Sequence, residues 1–107
     1  MLPTETDVSN ALEYLSNTDA QYAQQVGALE AAKHLVKVER AGAVLESKGT
    51  VAEKEAHAEL DPSVLEAHGN YVDALTDLET TRTRRKRAEL VIDVWRTHAA
   101  NQRRGNV

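Results

Sequence analysis

The chain contains no cysteine and no phenylalanine, and only two prolines and one tryptophan. Without cysteine, neither a disulfide framework nor a thiolate zinc site can form. No stretch approaches the roughly 20 apolar residues of a membrane span. The first residues also lack the basic start and apolar core of a signal peptide. We therefore expect a cytoplasmic protein with no membrane partner.

Large aliphatic side chains are also scarce. Leu, Val and Ile together supply 23 of the 107 residues, which is close to the level below which chains remain disordered. Alanine supplies 16 residues; it favours helix and allows helices to approach closely, but each side chain buries little apolar area. A self-sufficient monomeric core is therefore not expected, and we predict a homo-oligomer.

The strict alternation typical of β-strands is missing, and apolar residues recur at spacings of three and four. This periodicity predicts helices at about 5–15, 19–47, 51–59 and 62–100, followed by a basic tail at 101–107. The predicted fold is all-α, with one helical domain over residues 1–107. It is a long antiparallel helical hairpin with a short N-terminal helix and a short connecting helix, packed in an oligomer.

The helix boundaries rest on local stop and start signals. The polar residues 16–19, "SNTD", predict the end of the first helix. Gly49 is typical of a helix C-terminus, and Thr50, three residues before a glutamate, is typical of an N-terminal capping box. Asp61 followed by Pro62 predicts the start of the last helix, because proline is tolerated at the first helical position.

Catalytic and metal-binding motifs are not evident in the sequence. It shows no glycine-rich phosphate loop, no nucleophile motif and no His-Glu-x-x-His pattern. The four histidines are scattered along the chain, at His34, His57, His68 and His98. We therefore expect a protein that is not an enzyme, with no catalytic residues, no cofactor and no metal site.

Charge is divided unevenly along the chain. Residues 1–80 contain 5 Lys and Arg against 15 Asp and Glu, whereas residues 81–107 contain 8 against 2. The basic part opens with five cations in six positions: Arg82, Arg84, Arg85, Lys86 and Arg87. This asymmetry predicts an anionic partner at the basic end, or head-to-tail pairing between copies of the chain.

At 100° per residue the five cations of the basic run surround the helix instead of forming one stripe. Either the helix breaks near residues 80–83, where threonines lower its helix propensity, or at least one cation faces a packing partner. In one interpretation that cation pairs with a carboxylate of a neighbouring helix and the others are solvated. In the other, the run is repeated around an oligomer and makes a positive surface for a phosphate backbone, for which arginine is well suited.

Large apolar residues of the last predicted helix share one seam. The seam is spaced at three and four residues and is predicted to pack in the core or in an oligomer interface. Its principal members are Tyr71, Leu75, Leu78, Ile92 and Trp95.

The segments "EAAKHLVKVER" at residues 30–40 and "AELVIDVWRT" near the C-terminus, in this order of helices, resemble the phage UvsY-type recombination mediator proteins. The resemblance implies an oligomer that binds single-stranded DNA and helps to load a RecA-like recombinase in place of single-strand-binding protein. It also implies DNA-binding roles for Lys33, Lys37 and Arg40. The expected location is then the cytoplasm of a phage-infected host.

Two other functions stay open at this point. One alternative is a structural or adaptor module of a phage, whose basic end neutralises the acidic half of a neighbouring copy. The chain is also interpretable as a small phage inhibitor that contacts a host protein through its acidic half.

Overall fold

A computed structural model describes residues 2–105, and these residues form three helices and no strand. Helix α1 spans Glu5–Glu46, α2 spans Val51–Leu60 and α3 spans Pro62–Gly105. Two long helices with a short helix between them confirm the prediction of an all-α helical hairpin. None of the helices described is both long and apolar enough to cross a membrane.

The predicted end of a first helix at residues 16–19 is wrong, because α1 runs without a break from Glu5 to Glu46. The Thr18 hydroxyl donates a hydrogen bond of 2.7 Å to the carbonyl oxygen of Tyr14, one turn earlier, which is compatible with an unbroken helix. Thr18 and Asp19 instead bind a side chain of α3, Arg85. The polar residues therefore mark a tertiary contact and not a helix end.

Helix α3 is also longer than predicted. It is unbroken at residues 80–83, and it ends at Gly105 instead of near residue 100. Residues 101–105 of the predicted basic tail are therefore helical, whereas 106–107 lie outside the described residues. The buried side chain of Thr81 faces the interior at this point, which gives one of the threonines a packing role.

Both long helices begin with caps built from local residues. At the start of α1, the Asp7 carboxylate accepts from the Thr4 N–H at 2.8 Å and the Thr4 hydroxyl accepts from the Asp7 N–H at 3.1 Å. At the start of α3, the Asp61 carboxylate accepts from the Ser63 N–H at 2.8 Å. These bonds satisfy backbone donors that have no partner inside the helix.

The connection between α1 and α2 follows its sequence signals. Gly49 has a φ of 113°, a left-handed conformation that other residues adopt only with strain. The Glu53 side chain lies where a Cβ atom of residue 49 would be. The Thr50 hydroxyl then caps α2 by accepting from the Glu53 N–H at 3.2 Å. The predicted stop at Gly49 and the predicted cap at Thr50 are both confirmed.

The chain divides into two compact units. Unit 1 comprises Met1–Ala23 and Glu79–Val107, and unit 2 comprises Gln24–Leu78. Both long helices contribute to both units. The expectation of a single domain stays a prediction.

In unit 1 the two long helices pack in antiparallel fashion around a small apolar cluster. Ala11 of α1 and Ala88 and Ile92 of α3 are buried in it, with Val8, Tyr14, Leu15 and Val91 packed against them. Two of the three buried side chains are alanine, so the helices can approach closely but each contact buries little area. The apolar cluster of unit 1 is therefore small.

Unit 2 contains a second cluster, in which Ala43, Ala58 and Val64 bring the three helices together. The most deeply buried large side chain is Leu78, which is only 1% exposed. Of the predicted seam, Leu78 and Ile92 are buried, whereas Tyr71, Leu75 and Trp95 are half-buried.

Many large apolar side chains are exposed in both units. Leu45 of unit 2 is 83% exposed, and Leu90 of unit 1 is 53% exposed. Single exposed apolar residues are ordinary, but a set this large beside so small a core is typical of chains that associate. The other members are Leu2, Leu12, Val26, Leu35, Val38, Val51, Leu60, Leu65, Val72 and Val94.

Candidate nucleic-acid interface

The basic run lies on α3 within unit 1, and one of its five cations faces α1. The Arg85 guanidinium donates to the Leu15 carbonyl oxygen at 2.9 Å, to the Thr18 hydroxyl at 2.8 Å and to the Asp19 carboxylate at 2.7 Å. The Arg85 side chain is 17% exposed. The interpretation that one cation pairs with a carboxylate of a neighbouring helix is confirmed for Arg85.

An aromatic ring completes the surroundings of Arg85. Its guanidinium carbon lies 5.1 Å from the centre of the Tyr22 ring, within the range of a cation–π interaction. Backbone carbonyl, hydroxyl, carboxylate and ring therefore all engage this one guanidinium, which leaves it little capacity for an external anion. These contacts connect α3 to α1, and the predicted role of Arg85 in binding DNA stays a prediction.

Arg82 is half-exposed and is also partly committed. It forms an ion pair with Glu79, one turn earlier on the same helix. The pKa of Arg82 is raised above its usual value, first by a hydrogen bond to the Tyr22 side chain and then by the negative charge of Glu79. Arginine is already cationic at every physiological pH, so the raised pKa does not change its charge. Its cause is nearby acceptors, which hold the Arg82 guanidinium in place.

The other three cations of the run, Arg84, Lys86 and Arg87, are exposed. Within residues 2–105 none of the three forms an ion pair. We define them as the free cations. Because their charge is not compensated by a bound carboxylate, they are the members of the run best able to bind a phosphate group.

Three further arginines extend the basic surface toward the end of α3. Arg96, Arg103 and Arg104 are helical and exposed. The sequence prediction assigned the last two to a tail and gave no role to Arg96. The signal that could have placed them is the lack of proline between Trp95 and Gly105, which allows the helix to continue.

The three cations assigned through the resemblance, Lys33, Lys37 and Arg40, belong to α1 in unit 2. Lys33 lies 3.6 Å from the Glu30 carboxylate, and Arg40 lies 2.5 Å from the Glu59 carboxylate of α2. Lys37 is exposed. Their role in binding DNA stays a prediction.

The surface offers no evident metal site. Within the part of the chain described, no group of three or more His, Asp or Glu side chains is arranged to hold a metal ion. Exposed guanidinium and ammonium groups are able to bind anions.

Comparisons with known proteins identify no relative. No protein-family model, no curated protein and no solved structure matches the chain.

Proposed function

We propose that the chain is a non-enzymatic, oligomeric single-stranded-DNA-binding protein that acts as a recombination mediator. The observation that carries the proposal is that the cations of the basic run differ in their contacts. Arg85 is held by α1, while Arg84, Lys86 and Arg87 are exposed on the same helix and pair with no carboxylate among residues 2–105. A cationic helix surface of this kind binds a phosphate backbone with little dependence on base sequence.

The mediator role comes from the resemblance to UvsY-type proteins. In this role the oligomer holds a DNA strand along α3, weakens the grip of single-strand-binding protein and presents the strand to a RecA-like recombinase. The exposed apolar side chains, such as Leu45 and Leu90, support the oligomer. The proposed place of action is the cytoplasm of a phage-infected cell.

The proposal is tested by fluorescence anisotropy with a labelled, unstructured oligonucleotide over a range of salt concentrations. Replacing Arg84, Lys86 and Arg87 together by Ala removes three phosphate contacts. Each contact contributes about −0.7 to the slope of log K against log salt on single strands, so the slope is expected to become shallower by about 2. Affinity at low salt is expected to fall at least about tenfold, the factor that about 1.4 kcal/mol represents.

The matched control replaces Lys33, Lys37 and Arg40 by Ala, which removes the same number of charges from unit 2. We expect this variant to lose less affinity than the unit 1 variant, because Lys33 and Arg40 already have carboxylate partners. An unchanged affinity in the unit 1 variant contradicts the proposal. An equal loss in both variants would mean that binding follows net charge and not the free cations.

The alternative of a structural or adaptor module rests on the same exposed apolar side chains together with the division of charge between residues 1–80 and 81–107. It predicts an oligomer in which the basic end of one copy meets the acidic half of another. Sedimentation at low and high salt, with and without DNA, separates the two functions. Dissociation by salt together with indifference to DNA favours the adaptor.

A further inference from the structure

A groove runs along one side of the α1–α3 pair in unit 1, with a volume of about 650 Å³. We call it the Tyr14 groove; it is lined mainly by Ala11, Tyr14, Arg84, Arg87, Val91 and Val94. Its walls are largely apolar, with an aromatic residue on α1 and two guanidinium groups on α3. Apolar, aromatic and cationic groups therefore line one surface.

Both guanidinium groups of the Tyr14 groove are free cations. Arg84 and Arg87 are three residues apart on α3, so they lie on neighbouring turns of the same side of the helix. Asp7 also lines the groove, but one of its oxygens accepts the Thr4 N–H at 2.8 Å in the cap of α1. Within residues 2–105, Asp7 forms no ion pair with either arginine.

A second cavity in unit 1 is a poorer anion site. It has a volume of about 300 Å³ and is lined by Tyr22, Arg82, Arg85, Lys86 and Glu89. Arg85 is bound to Asp19, Arg82 is paired with Glu79, and Glu89 adds a negative charge to the wall. The Tyr14 groove therefore differs from this cavity, because the arginines of the cavity are already paired with carboxylates.

The composition of the Tyr14 groove suits a polynucleotide better than other anions or an apolar helix. A polyanion without bases would leave the apolar wall in water. An apolar helix would bury Arg84 and Arg87 without counter-charges, which is unfavourable. A single strand of DNA supplies both complements, because its bases pack against aromatic and apolar side chains while its phosphates pair with guanidinium groups.

We infer that the Tyr14 groove is a base-binding site for single-stranded DNA, in which bases pack against Tyr14 and the apolar wall while Arg84 and Arg87 hold the adjacent phosphates. The inference rests on the proposed function and deepens it. It assigns the strand to one side of α3 and gives the surface affinity for bases as well as for charge.

The test compares two oligonucleotides of equal length on the full-length protein, one of thymidine nucleotides and one with abasic sites throughout. Both carry the same phosphate charge. Stacking on an aromatic side chain contributes about 1–3 kcal/mol per base, so the thymidine strand is expected to bind about 5- to 150-fold more tightly. Equal affinity for the two strands overturns the inference.

Variants of Tyr14 locate the base contact. Replacing Tyr14 by Phe keeps the ring and is expected to keep the preference for the thymidine strand. Replacing Tyr14 by Leu is expected to reduce that preference at least about fivefold while leaving the affinity for the abasic strand unchanged. A Tyr14→Leu variant that keeps the full preference overturns the inference. If the Tyr14→Leu variant loses its helical circular dichroism signal, the inference is judged on the wild-type protein alone, from its affinities for the thymidine and abasic strands.

The outcomes distinguish the inference from the proposed function. If neither strand binds, both fail. If both strands bind equally and the free cations are needed, DNA binding stands and the base-binding groove does not. If neither strand binds and Val94→Glu, which places a charge on the groove wall, dissociates an oligomer, the groove is an interface between copies.

Discussion

Unit 1 and unit 2 hold their helices with different kinds of contact. In unit 1 a single guanidinium, Arg85, reaches across from α3 and engages a carbonyl, a hydroxyl, a carboxylate and an aromatic ring of α1. In unit 2 the comparable ion pair joins Arg40 to Glu59, and both side chains are at least half-exposed. Asp19 is as exposed as the side chains of the unit 2 pair, so the burial of the Arg85 guanidinium, which is 17% exposed, distinguishes the two pairs.

The difference follows from how each unit is connected. Unit 2 is one continuous stretch of chain that contains both turns, so local signals at Gly49 and Asp61 bring its helices together. Unit 1 is made from two segments far apart in sequence, with no turn of its own. Its α1 and α3 segments are joined by contacts between side chains, of which the Arg85 contact is the most polar and the most specific.

The largest loss in the free energy of unfolding is expected when a buried apolar side chain of unit 2 is truncated. Leu78→Ala removes a side chain that is 1% exposed, and buried Leu→Ala changes cost about 2–5 kcal/mol. Leu45→Ala is the matched control, because that leucine is 83% exposed and its loss is expected to cost less than about 0.5 kcal/mol. Urea unfolding measures both changes. Similar losses at the two sites would contradict the assignment of the core.

A smaller loss in the free energy of unfolding is expected when the arginine of either ion pair is replaced by alanine. Arg85→Ala should lower the free energy of unfolding by about 1–3 kcal/mol, because the guanidinium makes three hydrogen bonds and one ring contact in a sheltered site. Arg40→Ala should cost less than about 1 kcal/mol, since exposed pairs are screened by water. Unfolding of both variants at low and high salt checks the ranking, and equal costs would remove the distinction between the units.

The smallest change in stability is expected when either of two glycines of unit 2 is replaced by alanine. Gly49→Ala is expected to destabilise by about 1 kcal/mol, because the residue has a φ of 113° and Glu53 occupies the space that a Cβ atom needs. Gly27→Ala is the control: residue 27 lies within α1 with open space around its Cβ position, so alanine should stabilise the helix by up to about 1 kcal/mol. Thermal unfolding distinguishes the opposite signs. A stabilising Gly49→Ala would show that the turn tolerates a side chain.

Much of the fold could be predicted because its signals are local. The connecting turn follows from Gly49 and Thr50, and the start of α3 follows from Asp61 and Pro62. The incorrect helix end at residues 16–19 arose because polar residues inside a helix resemble a stop signal. Their partner, Arg85, is 66 residues from Asp19 in the sequence, and no local pattern connects them.

The candidate site was predictable in part for the same reason. Counting residues along α3 was enough to show that the five cations surround the helix and that one of them must face inward if the helix is unbroken. The sequence could not show which one it is, or that Tyr22 and Asp19 would hold it. It also could not show that Tyr14 lies in a groove with Arg84 and Arg87, because those residues come from opposite ends of the chain.

The sequence by itself determined the helical class, the turns, the division of charge and the thin, alanine-rich core. Each of these depends on composition or on residues within a few positions of one another. Only the tertiary structure decided the continuity of α1, the inward position of Arg85, and the exposure of Arg84, Lys86 and Arg87 as free cations. These depend on which side of α3 packs against α1, and that choice is made by contacts between residues distant in sequence.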